Sequence, residues 1–214
     1  DTYVSASDSA RIDLLWWSEV GDTLPSRSLS PFEASVEVFC DASLTGWDCW
    51  TSDGREAFGV WSSSERRLHI NLLECMSVFF AFQCFFKYTF DCGVLFHSDN
   101  TTVIAYFNHQ GGTVSASICD LVLELLEFCL DRDMQISAVH LPGIKNTKAD
   151  ALSCMEDADH SYSLSHEFFD SLSEAIPFSL KIDCFASRLT FKLPNFFSLY
   201  YDPLSSWVNA FSVQ

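Results

Sequence analysis

Positive charge is what this chain has least of: 12 lysines and arginines stand against 29 aspartates and glutamates in 214 residues, a formal net charge of −17. Phosphate binding draws much of its affinity from lysine and arginine, so the balance argues against the simplest kind of nucleic-acid binder, a domain wrapped in basic surface. The tight basic groupings are Arg66-Arg67 and Lys145 with Lys148. Long apolar runs are missing too. No segment approaches the roughly 18 uninterrupted apolar residues of a membrane span, and the start Asp1-Thr2-Tyr3 lacks the basic and apolar regions of a secretory signal. The chain is therefore read as an intracellular piece of a larger protein, with no membrane partner. The nine cysteines form no C-x-x-C pair. Scattered through apolar stretches, as Cys40, Cys75, Cys84, Cys119 and Cys129 are, they fit reduced core thiols better than a disulfide framework or a zinc site.

What is there is a length sufficient for one good core, or for a domain of about 130–150 residues with appendages at both ends. Residues 7–20 carry Ile12, Leu14, Leu15, Trp16 and Trp17 on a candidate helix, followed by a Ser/Pro-rich linker at 24–31. Strands are expected at 36–42, 45–51 and 57–62, with Gly46 and Ser52-Asp53-Gly54 as turn chemistry. Residues 70–88 read as the strongest helix, apolar almost all round and hence buried against a sheet. A strand at 93–98, helices at 100–110 and 116–132, a strand at 134–140 and the Pro142-Gly143 turn follow, leading to a last helix that holds Asp150. The order βββαβααβα joins an antiparallel meander to parallel strands through helical crossovers. Beyond 155 the pattern changes to loop plus helix over Ser161–Ile176, a strand over Lys181–Ala186, and an aromatic, irregular stretch from Phe191 to Gln214. For Trp16, Trp17, Trp47, Trp50 and Trp61, core packing is favoured over a base-stacking role.

Four carboxylates stand out by context rather than by rarity. Asp41 ends the apolar run Val36-Glu37-Val38-Phe39-Cys40, Glu74 lies in His69-Ile70-Asn71-Leu72-Leu73-Glu74, Asp99 ends Val94-Leu95-Phe96-His97-Ser98, and Asp150 lies in Lys148-Ala149-Asp150-Ala151-Leu152. Strand end, helix, strand end, helix is an order that brings acids from distant segments to one end of a sheet. Two-metal phosphodiester cleavage needs such a set, because carboxylates must hold two divalent ions about 3.5–4 Å apart. Solvated acids at element ends are the plainer reading of each one singly.

Ordered motifs carry a family resemblance over nearly the whole chain: Phe39-Cys40-Asp41-Ala42-Ser43 with Gly46-Trp47, Gly59-Val60-Trp61-Ser62, His69 to Glu74, Ser98-Asp99-Asn100-Thr101-Thr102, Asn108-His109-Gln110-Gly111-Gly112-Thr113, His140-Leu141-Pro142-Gly143, and Ala149-Asp150-Ala151-Leu152-Ser153. In the tail the matching segments are Asp183-Cys184-Phe185-Ala186-Ser187-Arg188, Leu193-Pro194 and Asp202-Pro203. The chain resembles the ribonuclease H domain of retroelement reverse transcriptases, most closely those of DIRS-like, tyrosine-recombinase retrotransposons. It departs from them at Ser153-Cys154, where arginine usually follows the serine, and at Asp48-Cys49, where glycine or alanine is more usual.

The resemblance implies an α/β, ribonuclease H-like fold: a five-stranded mixed sheet flanked by helices over 33–155, an upstream helix and linker over 1–32 from the reverse transcriptase region, and an irregular C-terminal extension over 156–214. It implies hydrolysis of the RNA strand of an RNA–DNA hybrid during reverse transcription, with two Mg2+ ions, or Mn2+ in their place. Asp41, Glu74, Asp99 and Asp150 would be the catalytic metal ligands. His140 would assist proton transfer or product departure, or else simply bond the Pro-Gly turn. Asn71 and Asn100 would contact the hybrid, where the 2′-hydroxyl marks RNA, or would serve as helix caps. The implied partners are the hybrid and the upstream reverse transcriptase region of the same polyprotein. A rival reading is a decayed or domesticated copy that keeps the fold and binds protein.

Overall fold

Three β-strands in hairpin succession open the body of the protein: β1 (Val36–Ala42), β2 (Gly46–Thr51) and β3 (Glu56–Val60). In this computed structural model the described residues are 5–20, 32–142 and 163–208. The chain divides into two compact units, Asp1–Pro31 and Phe32–Gln214. The first holds helix α1 (Asp8–Val20). Within it Trp16 and Trp17 meet edge to face at 5.2 Å yet stay 49% and 57% exposed, which corrects the expected core role for both. A single amphipathic helix has no second described element in its own unit to bury that stripe against.

In the second unit β1 pairs antiparallel with β2, and β2 with β3, while β1 pairs parallel with β4 (Gly93–Ser98) and β4 with β5 (Gln135–His140). The resulting order is β3-β2-β1-β4-β5. Antiparallel neighbours need only tight turns, whereas parallel neighbours need crossovers. The crossovers are α2 (Ile70–Phe85) between β3 and β4, and α3 (Thr101–Asn108) with α4 (Ala116–Leu130) between β4 and β5. This is the ribonuclease H-like, five-stranded mixed sheet flanked by helices that the sequence implied.

The core explains the arrangement. Strand alternation buries Val38 and Cys40 of β1, and α2 contributes Leu73, Val78, Ala81, Phe82 and Phe85. Helix α2 packs on β1, β2 and α4, as an all-round apolar helix must. Trp47 and Trp61 are buried and meet Phe80 of α2 at 5.2 and 5.8 Å. Trp50 stays half-buried, its ring stacked on Phe39 at 3.8 Å, and Phe39 in turn stacks on His97 at 4.4 Å. The eight cysteines among the described residues are free; Cys40, Cys49, Cys75 and Cys129 are buried, Cys84, Cys92 and Cys119 are half-buried, and Cys184 is exposed. Close backbone approach requires glycine at position 46, where a Cβ would lie 2.6 Å from the Gly59 carbonyl oxygen across the β2–β3 ladder.

The tail is more ordered than expected. Helix α5 (His166–Ala175) is followed by a small three-stranded sheet of β6 (Asp183–Cys184), β7 (Phe196–Ser198) and β8 (Trp207–Val208), all parallel. The expected strand 181–186 thus shrinks to two residues, and the stretch from 191, expected to be irregular, supplies two strands. The tail also packs on the body. Tyr201 bridges Ala57 of edge strand β3, Lys87 Nζ donates to the Ser205 carbonyl at 3.1 Å, and Tyr88 Oη donates to that of Ser206 at 3.2 Å. Arg188 donates to both carboxylate oxygens of Glu65, at 2.8 and 2.9 Å, and to the Val60 carbonyl. Among the described residues no helix is long and apolar enough to cross a membrane.

Candidate metal centre

Strands β1 and β4 lie side by side and parallel, but the chain leaves β1 for β2 on one side and β4 for α3 on the other. Such a divergence opens a crevice at the carboxyl ends of the two strands. Asp41 is the penultimate residue of β1, and Asp99 directly follows β4. Glu74 comes from the second turn of α2.

One oxygen from each of Asp41, Glu74 and Asp99 lies within 4.8 Å of the others. The structure thus gathers three of the four acids chosen from the sequence, across 58 residues of chain between the first and the last. Asp150 lies outside the described residues, as do Lys145 and Lys148.

Local bonds explain the placement. The Asp41 carboxylate accepts from the Ala42 amide at 2.9 Å, and the turn beyond is closed by Ser43, whose amide donates to the Gly46 carbonyl at 2.9 Å. The indole of Trp61 donates to the Ser43 carbonyl at 2.9 Å, so the turn after Asp41 is pinned to the core. Asn100 caps α3, its side-chain oxygen accepting from the amides of Thr102 and Val103 at 3.0 and 3.2 Å. The Asn100 amide nitrogen donates to the Asn71 side-chain oxygen at 3.0 Å. That bond ties the start of α2, which carries Glu74, to the residue after Asp99. The cap of α2 is His69 rather than Asn71, through a bond from the Asn71 amide to His69 Nδ1 at 3.1 Å. His140 is exposed at the end of β5, paired in register with Ser98, one residue before Asp99.

Electrostatically the centre is unbalanced. Glu74 is 5% exposed, and its Oε2 is buried with no hydrogen-bond partner among the described residues. Burial first, and then the negative charges of Asp41, Asp99 and Asp48, push its carboxyl up from the ordinary 4.5 to about 9. Carboxylates crowded in this way either take up a proton or meet a cation. An orphaned carboxylate oxygen facing hard oxygen donors fits a divalent ion such as Mg2+, which prefers oxygen ligands and a few carboxylates.

Two features escaped the sequence reading. Asp48 faces Asp41 directly in the β1–β2 ladder and is 4% exposed; its departure from the family pattern was the available signal. The Asn71–Asn100 link joins residues 29 apart, and nothing local in the sequence announces it.

No protein-family model and no curated protein matches the chain. Solved structures do. The ribonuclease H1 of the halophilic archaeon Halobacterium salinarum NRC-1 is 22% identical with a TM-score of 0.44, over 55% of this chain and 92% of that one. LC11 ribonuclease H1, in complex with an RNA/DNA hybrid, is 16% identical with a TM-score of 0.46, over 55% and 93%. A foamy viral protease-reverse transcriptase bound to double-stranded DNA is 10% identical with a TM-score of 0.34, over 64% of this chain and 25% of that one. The fold assignment itself rests on the strand order and pairing described above.

Proposed function

We propose that the chain is a metal-dependent ribonuclease H that hydrolyses the RNA strand of RNA–DNA hybrids, serving a DIRS-like retrotransposon reverse transcriptase. The observation that carries this reading is the convergence of the Asp41, Glu74 and Asp99 oxygens within 4.8 Å at the ends of two parallel strands. Asp41, Glu74 and Asp99 would hold two Mg2+ ions, or Mn2+, with Asp150 as the fourth ligand. When bound, such ions activate water and stabilise the leaving oxygen of an in-line displacement.

The chain's own residues do the rest. Asp41 sits where β1 ends and would be one of the ligands. The Asn71–Asn100 bond fixes the spacing between the Glu74 and Asp99 elements. It leaves the Asn71 amide N–H groups as donors for a 2′-hydroxyl, the group that separates RNA from DNA. His140, exposed beside the site strand, would assist proton transfer or product departure. The scarcity of basic residues fits a domain that works beside an upstream reverse transcriptase region, which supplies positive surface and a high local concentration of hybrid.

The test is cleavage of an end-labelled hybrid by the purified chain with Mg2+ or Mn2+. Products with 5′-phosphate and 3′-hydroxyl ends, lost in Asp99→Asn, are expected. Equal cleavage by the wild type and by Asp41→Asn and Asp99→Asn would overturn the assignment, since the activity would then lie elsewhere.

A further inference from the structure

The acid that no motif accounts for is Asp48. It lies directly across the ladder from Asp41, and directly opposed residues of an antiparallel pair send their side chains to the same face. At 4% exposure it is as buried as Glu74, yet it does not join the set of oxygens within 4.8 Å of one another. A second observation points to a cation: Glu74, itself 95% buried by the same measure of 5% exposure, aims an unpartnered Oε2 into the same acidic cluster.

We propose that Asp48 is an outer acid of the metal centre, a positioning residue that strengthens cation binding through its field without ligating the ion directly. The inference rests on the metal-centre reading above. Two divalent ions would bring four positive charges to a site whose three converging carboxylates, with Asp150 as the proposed fourth ligand, supply the first negative ones. A further buried charge on the neighbouring strand raises the attraction for cations, and in low-dielectric surroundings it does so with little screening. The same charge opposes an incoming phosphate. Asp48 therefore shifts the site toward holding metal tightly and hybrid weakly, in keeping with the overall charge of −17. After burial, the larger cause, the charge of Asp48 is among those that raise the Glu74 carboxyl and the Cys40 thiol, as its place beside them requires.

The experiment titrates Mn2+ into the full chain by calorimetry, comparing wild type, Asp48→Asn and Glu74→Gln, and then measures hybrid affinity at saturating Mn2+. Outer partners of metal sites typically contribute about 10–100-fold in affinity. Asp48→Asn, which keeps the shape and removes the charge, should weaken Mn2+ binding by about tenfold while hybrid affinity holds or rises. Asp48→Glu should restore most of the metal affinity. Glu74→Gln should lose more metal affinity than Asp48→Asn. Wild-type Mn2+ binding left unchanged by Asp48→Asn, even with a higher melting temperature, would overturn the inference and leave the centre intact. No Mn2+ binding by the wild type would instead sink the metal-centre reading itself.

Discussion

Two glutamates show how differently this molecule treats buried charge. Glu65, in the 3-10 turn before α2, and Glu74, within α2, are nine residues apart. Burial raises the carboxyl of both. At Glu65 the hydrogen bonds from Arg188 and Ser62 more than reverse that push and leave it below the ordinary 4.5. The Arg188 guanidinium grips both oxygens and lies over the Phe80 ring at 4.8 Å, with side-chain exposures of only 9% and 17% across the pair. At Glu74 no cation answers among the described residues, other acids surround it, and its carboxyl rises to about 9. The first arrangement is complete and acts as a structural clamp between tail and body. The second is stored repulsion, which a bound ion would relieve. The two glutamates thus differ in whether the described residues supply a counter-charge, as expected of a structural clamp on one side and of the proposed metal centre on the other.

The contrast should be sharpest under substitution. Asp41→Asn or Asp99→Asn should reduce hybrid cleavage by at least about 1,000-fold, since removing a ligand of the proposed two-ion centre would remove the electrostatic stabilisation on which the displacement relies. The melting temperature of the metal-free protein should hold or rise, because a crowded charge has gone. Arg188→Ala should do the reverse. Leaving Glu65 buried and unpaired costs about 3 kcal/mol or more of stability, while Mn2+ affinity of the folded fraction persists. Denaturant melts and cleavage assays on the same preparations would break the comparison if Arg188→Ala abolished metal binding or Asp99→Asn unfolded the protein.

Next in size is the pH dependence of stability in chelator. Between the unfolded value of 4.5 and the folded value of about 9, Glu74 keeps a proton in the folded state that it has lost in the unfolded one. The folded state binds more protons across that window, so this group makes stability fall as pH rises through it. Glu65 acts with the opposite sign: its lowered carboxyl adds stability that is present above 4.5 and is lost as pH falls through its folded value. Saturating Mn2+ should abolish the Glu74 component, because a ligand carboxylate is already ionised, and leave the Glu65 component in place. Thermal melts from pH 4 to 9 with and without Mn2+ would show either two separable limbs or, against this account, one common curve.

The legibility of the sequence follows the same division. The sheet and its crossovers were readable because the apolar run of β1 and the all-round apolar α2 are local patterns. Asp41, Glu74 and Asp99 were readable because each ends or sits in such an element. The Arg188–Glu65 clamp spans 123 residues, and a single arginine in an irregular tail carries no periodic signal. The tail strands of two or three residues are too short for alternation to show. Trp16 and Trp17 look like core residues by composition, yet burial depends on a partner surface that propensity does not report. Asp48 read only as an oddity until the ladder register placed it opposite Asp41.

A smaller effect belongs to His140. General acid–base groups contribute typically about 100-fold or more to a rate, and a histidine that only speeds proton transfer or product departure lies at the low end. His140→Ala should slow turnover with little change in Mn2+ affinity. A variant with weakened metal binding and unaltered turnover at saturating Mn2+ would place His140 with the structural groups instead.

The smallest expected effect concerns the few positive charges. Arg66 and Arg67 are exposed on the turn that leads into α2, and Arg66 already donates its Nε to the Trp61 carbonyl. Arg67 is the better test of a phosphate contact. Each phosphate neutralised adds about 0.9 to the slope of log affinity against log salt for a duplex, so Arg67→Ala should lower that slope by about one while leaving the melting temperature and Mn2+ affinity unchanged. The wild-type slope should itself be shallow, because 12 basic residues among 29 acidic ones leave few counterions to release. Adding an upstream reverse transcriptase region should steepen it and raise affinity together, as a positive channel would. A steep slope for residues 1–214 alone, insensitive to Arg67, would mean that the contacts lie elsewhere on the surface and that the acidic balance of the whole chain is a poor guide to the face that meets the hybrid.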